Sequence, residues 1–144
     1  MNSAVTLVDF DRLLNGLDHI YSEFSRACGL SDCAYWMLVD TSTAGGSIAV
    51  SRLTSEWFYS KQTINSSIRR REQDGYLYLQ PGRGRDMHIC LTPEGRRLVE
   101  EKAAPVAAME ERAFSGMPQE DQQALLRLTH AYLARLRAEA GRIL

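Results

Sequence analysis

The 144-residue sequence predicts a mainly α-helical fold with a two- to three-stranded β wing. Long segments at both ends of the chain repeat apolar residues every three or four positions, which is typical of amphipathic helices. Between them, short helical segments are followed by an alternating hairpin with a turn-rich tip, and this order forms a helix-turn-helix with a wing. We therefore expect one domain over 1–144, with a winged helix-turn-helix lobe at about 47–97 and long flanking helices at about 5–28 and 98–140.

Composition indicates one globular domain and excludes several classes of protein. Hydrophobic residues make up 44% and charged residues 24% of the chain, which are ordinary globular values. No apolar run approaches the roughly 18 residues of a membrane span, and the first residues lack the basic start and apolar stretch of a signal peptide. Three cysteines are too few for a disulfide framework, so the expected location is the cytoplasm.

Charge is distributed unevenly along the chain. Residues 47–97 hold nine basic and five acidic residues, a net charge of +4, whereas residues 1–46 carry −4 and residues 98–144 carry −1. A local positive field suits a polyanion, even though the whole chain has a formal charge of −1. Charge also fluctuates along any sequence, so charge alone leaves open whether this region binds a polyanion or is an ordinary fluctuation.

The first helix is expected from Asp9 to Cys28, because apolar residues recur there at helical spacing. Gly29 then provides a C-terminal cap. Ser31 is expected to cap a second helix over about Asp32–Val39, whose residues are apolar nearly all round. A helix of that composition is expected to be buried on several sides.

The centre of the chain is expected to hold the helix-turn-helix. Thr41–Ser47 has the composition of a loop, and a third, short helix should cover about Ala49–Trp57. Ser60 can cap a fourth helix over Lys61–Gln73, which Gly75 ends.

The hairpin follows directly. Tyr76–Leu79 alternates as a strand, Pro81–Arg85 forms the turn-rich tip, and Met87–Leu91 returns as the second strand. In the returning strand the odd-numbered residues share one face, and His88 and Cys90 share the other. Because its tip contains two arginines, this hairpin is expected to be a basic wing.

Two further helices complete the chain. Thr92 caps the first of them, and Pro93 occupies its first position, where a missing N–H costs nothing. This helix is expected over about Pro93–Phe114, with a kink at Pro105. The last helix is expected over about Pro118–Ala140, with an apolar stripe rich in leucine.

The fourth helix has side chains suited to reading DNA. Ile64 and Ile68 lie four residues apart and are expected to face inward, which turns polar residues outward. Gln and Asn can pair with adenine edges, Arg and Lys with guanine, and hydroxyls near a helix N-terminus suit phosphates. The expected DNA contacts are Ser60, Lys61, Gln62, Thr63, Asn65, Ser66, Arg69, Arg70, Arg83 and Arg85. Each of these residues alone also fits an ordinary solvated surface. The helix, the hairpin and its basic tip together favour DNA binding.

Two motifs and the order of the elements carry a resemblance to a known family. LTPEG at 91–95 and GLSD at 29–32 resemble the starts of the fifth and second helices of the MarR family, the multiple-antibiotic-resistance type regulators. SKQTINSSIRRREQDGYLYL at 60–79 resembles its recognition helix and first wing strand. The resemblance implies a homodimeric transcription regulator whose long terminal helices dimerise, often a repressor relieved by a small ligand or oxidant. Such a dimer is expected to bind a near-palindromic double-stranded DNA operator.

Two positions depart from the family's pattern. Its wing usually has Asp-x-Arg; Arg85 falls on the arginine, but Arg83 replaces the acid, and Asp86 is a candidate substitute partner. Arg71 stands where the family usually has an apolar residue that ends the recognition helix. We expect the stem of Arg71 to cover apolar surface while its guanidinium reaches solvent.

Three aromatic residues, Tyr21, Tyr35 and Trp36, are the candidate lining of an effector pocket. They would take a small aromatic or apolar ligand between the helical arms and the DNA-binding lobe. The same residues fit an ordinary core, which is the favoured interpretation.

Catalysis, metal binding and cofactors are not expected. The chain has no Walker loop, dinucleotide fingerprint, nucleophile elbow or HExxH motif, and its three histidines are scattered without zinc-site spacing. Cys28, Cys33 and Cys90 leave a thiol-based redox sensor open, although buried inert cysteines are commoner. The other alternative is a protein-interaction module of the same fold without DNA binding, against which the basic wing argues.

Overall fold

The computed structural model describes residues 4–56 and 59–144. The chain divides into two units, the first ending at Ala104 and the second covering Pro105–Leu144. The first unit contains α1 (Leu7–Ala27), α2 (Asp32–Thr43), β1 (Ser47–Ala49), α3 (Val50–Glu56), α4 (Lys61–Gln73), β2 (Leu77–Pro81), β3 (Met87–Leu91), α5 (Pro93–Leu98) and a π-helical turn at Val99–Ala103. Helix α6 (Ala104–Ser115) begins at the boundary, and α7 (Gln119–Ala140) follows. The predicted fold class, mainly helical with a small β wing, is confirmed.

Helix α1 begins two residues before its predicted start because a capping box precedes it. The Thr6 hydroxyl accepts from the Asp9 backbone N–H, and the Asp9 carboxylate accepts from the Thr6 backbone N–H and hydroxyl. At the other end Cys28 is the cap residue, and Gly29 follows with φ of 70°, as its predicted capping role requires.

Helix α2 is four residues longer than predicted, so the expected loop at Thr41–Ser47 is wrong over its first three residues. The Thr41 hydroxyl is buried and donates to the Met37 carbonyl at 2.7 Å, and the Thr43 hydroxyl donates to the Val39 carbonyl at 3.0 Å. These bonds satisfy polar groups inside the helix, so the run of hydroxyl residues does not end it.

A short strand that the element order lacked, β1, makes the wing three-stranded. The sheet is antiparallel in the order β1-β3-β2, with Ser47 opposite Cys90 and Leu79 opposite Ile89. Helix α3 then begins at Val50, and its predicted end at Trp57 lies outside the described residues.

The core of the first unit lies between α2, α3, α4 and one face of the sheet. Leu53 of α3, Ile64 and Ile68 of α4 and Ile89 of β3 belong to one buried cluster with five residues of α2. The predicted burial of α2 on several sides is therefore confirmed. Since Ile64 and Ile68 anchor α4 to this core, the other side of α4 faces outward.

The predicted 93–114 helix is a continuous helical stretch that changes its hydrogen-bond pattern before Pro105. Thr92 caps it through a bond from the Gly95 N–H at 3.0 Å, and Pro93 stands at its start, as predicted. The kink at Pro105 stays a prediction; a π-helical turn lies just before this residue, where the Ala104 N–H donates to the Val99 carbonyl. Proline has no N–H to continue the regular ladder, which accounts for the irregularity at this place.

The two long helices keep much of their apolar surface in solvent. Ser25 is the one buried residue of α1, and no residue of α7 is buried. Leu13 of α1 is 68% exposed and Leu128 of α7 is 57% exposed. Amphipathic helices of this length normally bury their apolar stripe, so both faces are unpartnered within the single chain.

Candidate nucleic-acid interface

The outer face of α4 presents the side chains predicted to read DNA. The helix covers Lys61–Gln73 as predicted, and its inner face is fixed by two buried isoleucines. The exposed residues of this face are Ser60, Lys61, Gln62, Thr63, Asn65, Ser66, Arg69 and Arg70. One face therefore combines two amides, three cations and three hydroxyl groups. Side chains of these kinds form hydrogen bonds with base edges and phosphates of DNA.

Two hydroxyls organise the N-terminus of α4. Ser60 is the cap residue and accepts from the Thr63 backbone N–H at 3.1 Å, while the two side-chain oxygens lie 2.9 Å apart. The remaining backbone N–H groups of the first turn point out of the helix end, and no acidic residue occupies this turn. The end of α4 is thus a positive pole without a carboxylate of its own.

The wing tip presents both predicted arginines to solvent. Arg83 and Arg85 are exposed, and neither belongs to an ion pair of the described residues. The Gly82 N–H donates to the Asp86 carbonyl at 2.8 Å, and Gly84 has φ of 64°, so a tight turn holds the tip together. Both guanidinium groups are available to a partner.

Asp86 is not the substitute partner of Arg85 that the sequence suggested. Its carboxylate accepts from the Ser51 hydroxyl of α3 at 3.0 Å. Asp86 therefore links the wing to the helix-turn-helix, a contact between residues 35 positions apart that no local motif reveals.

Arg71 also differs from its expectation. Its guanidinium does not reach solvent: the residue is 6% exposed, and Nη2 lies 3.2 Å from Asp74 Oδ2. The expectation failed because Asp74, three residues later at the end of α4, supplies a carboxylate. This carboxylate pairs with the guanidinium of Arg71 and keeps it beside the helix.

The structure brings the three candidate effector residues together. The rings of Tyr21 and Trp36 have centroids 5.3 Å apart, and Trp36 meets Tyr35 edge-on at the same distance. Tyr35 also lines a small cavity of about 10 Å³ beside Cys28 and Lys102. The three rings thus pack against one another, with Tyr35 buried, Tyr21 and Trp36 half-buried, and Tyr35 at the edge of the small cavity.

Two of the three cysteines, Cys28 and Cys33, lie in environments that raise the pKa of the thiol. Burial raises the pKa of Cys28, although the positive charge of Lys102 offsets part of this rise. Burial also raises the pKa of Cys33, with an opposing effect of the Ser67 hydroxyl. Cys90 is buried on the outer face of the sheet, with Sγ 3.5 Å from Gln80 Oε1. A raised thiol pKa leaves less reactive thiolate at neutral pH.

Among the described residues, no group of three or more His, Cys, Asp or Glu side chains is placed to hold a metal ion. No helix in the same residues combines the length and apolarity needed to cross a membrane.

No protein-family model and no curated protein matches this sequence. Solved structures do share its fold. AbsC, a MarR family transcriptional regulator from Streptomyces coelicolor, is 20% identical over 95% of this chain and 99% of that one, with a TM-score of 0.71. MepR from S. aureus, in a complex with DNA, is 16% identical over 92% and 98% of the two chains, with a TM-score of 0.73.

A third similar structure contains a small aromatic ligand. NadR in complex with 4-hydroxyphenylacetate is 17% identical, and the match covers 93% of this chain and 95% of that one at a TM-score of 0.70. The chain therefore has the winged-helix fold of the MarR family transcriptional regulators, as the sequence resemblance implied.

Proposed function

We propose that this chain is a homodimeric, sequence-specific DNA-binding transcription regulator that works in the cytoplasm. The outer face of α4 carries the proposal, because it joins amides and cations on one exposed side of a helix whose other side is locked into the core. The two exposed arginines of the wing add a second contact region beside it. A solved structure of the same fold, MepR, contains DNA.

Dimerisation is proposed from the unpartnered apolar faces of α1 and α7. A stripe of half-exposed leucines along a helix is unfavourable in water and typical of a protein interface. A two-fold dimer would present two copies of α4. It would therefore recognise a near-palindromic operator with half-site centres about 10 bp apart.

The regulator is proposed to be a repressor that a small aromatic or apolar ligand releases from DNA. Tyr21, Tyr35 and Trp36 are the proposed ligand-responsive group, and NadR shows that a protein of this fold binds a hydroxylated aromatic acid. Because the cavity beside Tyr35 is only about 10 Å³, a ligand there must push the surrounding helices apart. That requirement couples ligand binding to a change in the lobe that carries α4.

The DNA-binding proposal is tested by fluorescence anisotropy with the DNA upstream of the gene, at several salt concentrations. We expect saturable binding that is stronger than binding to scrambled DNA and that weakens as salt rises. Equal, weak binding to both DNAs would instead favour a protein-interaction module.

The ligand proposal is tested by titrating Trp36 fluorescence with small aromatic acids, with and without operator DNA. A true effector must bind the free protein more tightly than the DNA complex. Equal affinity in both states would contradict the release mechanism. Loss of DNA binding after peroxide, with a mass increase on a cysteine, would transfer the switch to Cys28, Cys33 or Cys90.

A further inference from the structure

The side chain of Asp86 attaches the wing to α3 at the place where the sheet ends. Strand β1 pairs with β3 in a register that sets Ala49 opposite His88. Continuing this register by two residues puts Ser51 opposite Asp86, but the chain turns into α3 at Val50 and main-chain pairing stops. The Ser51 hydroxyl, which donates to Asp86 Oδ2 at 3.0 Å, stands where the next main-chain contact would lie.

The backbone of Asp86 also closes the turn at the wing tip. Its carbonyl accepts from the Gly82 N–H at 2.8 Å, and its own N–H donates to the Arg83 carbonyl at 3.2 Å. The base of this turn is closely packed, because a Cβ added to Gly82 would lie 2.5 Å from Cδ2 of the His88 ring. An anchor on Asp86 therefore restrains the whole tip and not one side chain alone.

The same hydrogen bond directs the carboxylate of Asp86 away from the tip arginines. Arg83 and Arg85 precede Asp86 by three residues and one residue, and neither belongs to an ion pair of the described residues. A carboxylate that accepts from Ser51 points toward α3. Without that donor, the carboxylate would be free to pair with a neighbouring guanidinium, because opposite charges at this separation attract.

Helix α3 is a firm point of attachment. Leu53 of α3 and Ile64 and Ile68 of α4 belong to one buried cluster, so the two helices share a core. A wing that is anchored to α3 is therefore also placed relative to the outer face of α4.

We propose that Ser51 and Asp86 are positioning residues that set operator selectivity by holding Arg85 in one place relative to α4. Neither residue needs to touch DNA. The inference rests on the proposed function, because it assigns to these residues a part in DNA recognition. A contacting side chain gives selectivity only when its supporting hydrogen bonds keep it in the productive geometry.

This role affects selectivity more than general affinity for DNA. Non-specific binding depends on the number of cations near the phosphates, and Ser51→Ala leaves that number unchanged. Specific binding depends on where the wing arginine lies, which Ser51→Ala alters. A loss of selectivity at constant non-specific affinity is therefore the signature of positioning.

The first arm of the test uses the DNA-free, full-length protein and pulsed hydrogen–deuterium exchange of the peptide that covers 82–86. Ser51→Ala should speed exchange there about two- to tenfold, as expected for the loss of one hydrogen bond, and Ser51→Thr should restore the wild-type rate. Ser55→Ala is the matched control. It makes the same change on the same helix, at a hydroxyl that donates to the Arg52 carbonyl instead of to the wing.

Circular dichroism checks that Ser51→Ala folds, which its exposed position favours. Should it not fold, Asp86→Ala, which removes the acceptor instead of the donor, takes its place in the exchange measurement. Faster exchange at the tip upholds the anchor. Exchange at the wild-type rate overturns it.

The second arm measures affinity for operator and for scrambled DNA. Ser51→Ala should lower the ratio of the two affinities about two- to tenfold, with binding to scrambled DNA unchanged. Asp86→Asn keeps an oxygen that accepts from Ser51 but loses the charge. It should keep the ratio while it strengthens binding to both DNAs.

Two results of the second arm would overturn the proposal. One is a wild-type ratio for Ser51→Ala, which would leave Asp86 with an effect of charge alone. The other is an equal loss of affinity for both DNAs. If the wild type binds no DNA, the proposed function fails, while the exchange measurement still decides whether Ser51 holds the wing tip.

Discussion

The helix-turn-helix lobe and helix α7 differ in whether their leucine side chains are buried or exposed. Leu53, at the centre of the lobe, is 1% exposed, whereas Leu128, in the stripe of α7, is 57% exposed. The lobe buries its apolar residues against α2, α4 and the sheet within one chain. Helix α7 has no buried residue at all. The lobe and α2 therefore complete their core within one chain, whereas the apolar stripe of α7 stays exposed.

The largest effect is expected from opening the lobe's core. Leu53→Ala removes a fully buried side chain and leaves a cavity, which should lower the free energy of unfolding by about 2–5 kcal/mol. Leu144→Ala, the same change at a fully exposed terminal residue, is the control and should have no effect. Urea titrations at one chain concentration measure the stability of both variants. Equal unfolding midpoints for Leu53→Ala and Leu144→Ala would show that the lobe is not the stable part of the molecule.

The next effect should separate the two chains of the proposed dimer. Leu125→Glu combined with Leu128→Glu places two charges in the apolar stripe of α7, and desolvating them in an interface is costly. We expect a dimer for the wild type and a monomer for the double variant in sedimentation velocity. Gln123→Glu, on the opposite side of α7, should remain dimeric. A double variant that sediments like the wild type would remove α7 from the interface.

A smaller effect is expected on the reading face of α4. Gln62→Ala or Asn65→Ala should relax the preference at one base pair by about 1–3 kcal/mol if the amide pairs bidentately. Gln73→Ala, at the last residue of the same helix, is the control. Affinity measured on operators with single substitutions reports the preference; variants of Gln62 and Asn65 that discriminate as the wild type does would mean that another element reads the bases.

The smallest effect should distinguish the two wing arginines. Arg85→Ala should reduce operator selectivity, because Arg85 falls on the wing position that the family uses for DNA contact. Arg83→Ala should weaken specific and non-specific binding alike and lower the salt slope by about 1. Anisotropy at several salt concentrations compares them. The assignment would be reversed by normal binding of Arg85→Ala together with lost selectivity of Arg83→Ala.

Local signals predicted most of the fold, because caps and spacing are written in neighbouring residues. The bounds of α4 follow from Ser60 and Gly75, and those of β3 follow from alternation. The end of α2 did not follow, since its threonines are satisfied by carbonyls one turn back. Strand β1 was missed because three residues pair with a strand some 40 positions later, beyond any local pattern.

The candidate interface was predictable in its composition but not in its connections. The outward residues of α4 follow from the spacing of two isoleucines. The partner of Asp86 did not follow, because Ser51 lies on another element. The burial of Arg71 depends on how α4 packs against its neighbours, so the sequence alone suggested a solvated guanidinium where the structure has a buried one.

The most direct test of the central claim is selection of binding sites from random double-stranded DNA, followed by measurement of the number of chains bound. Two copies of α4 in one dimer predict an enriched inverted repeat with half-site centres about 10 bp apart, bound by two chains. Enrichment of no sequence, or of a single half-site bound by one chain, would contradict the account.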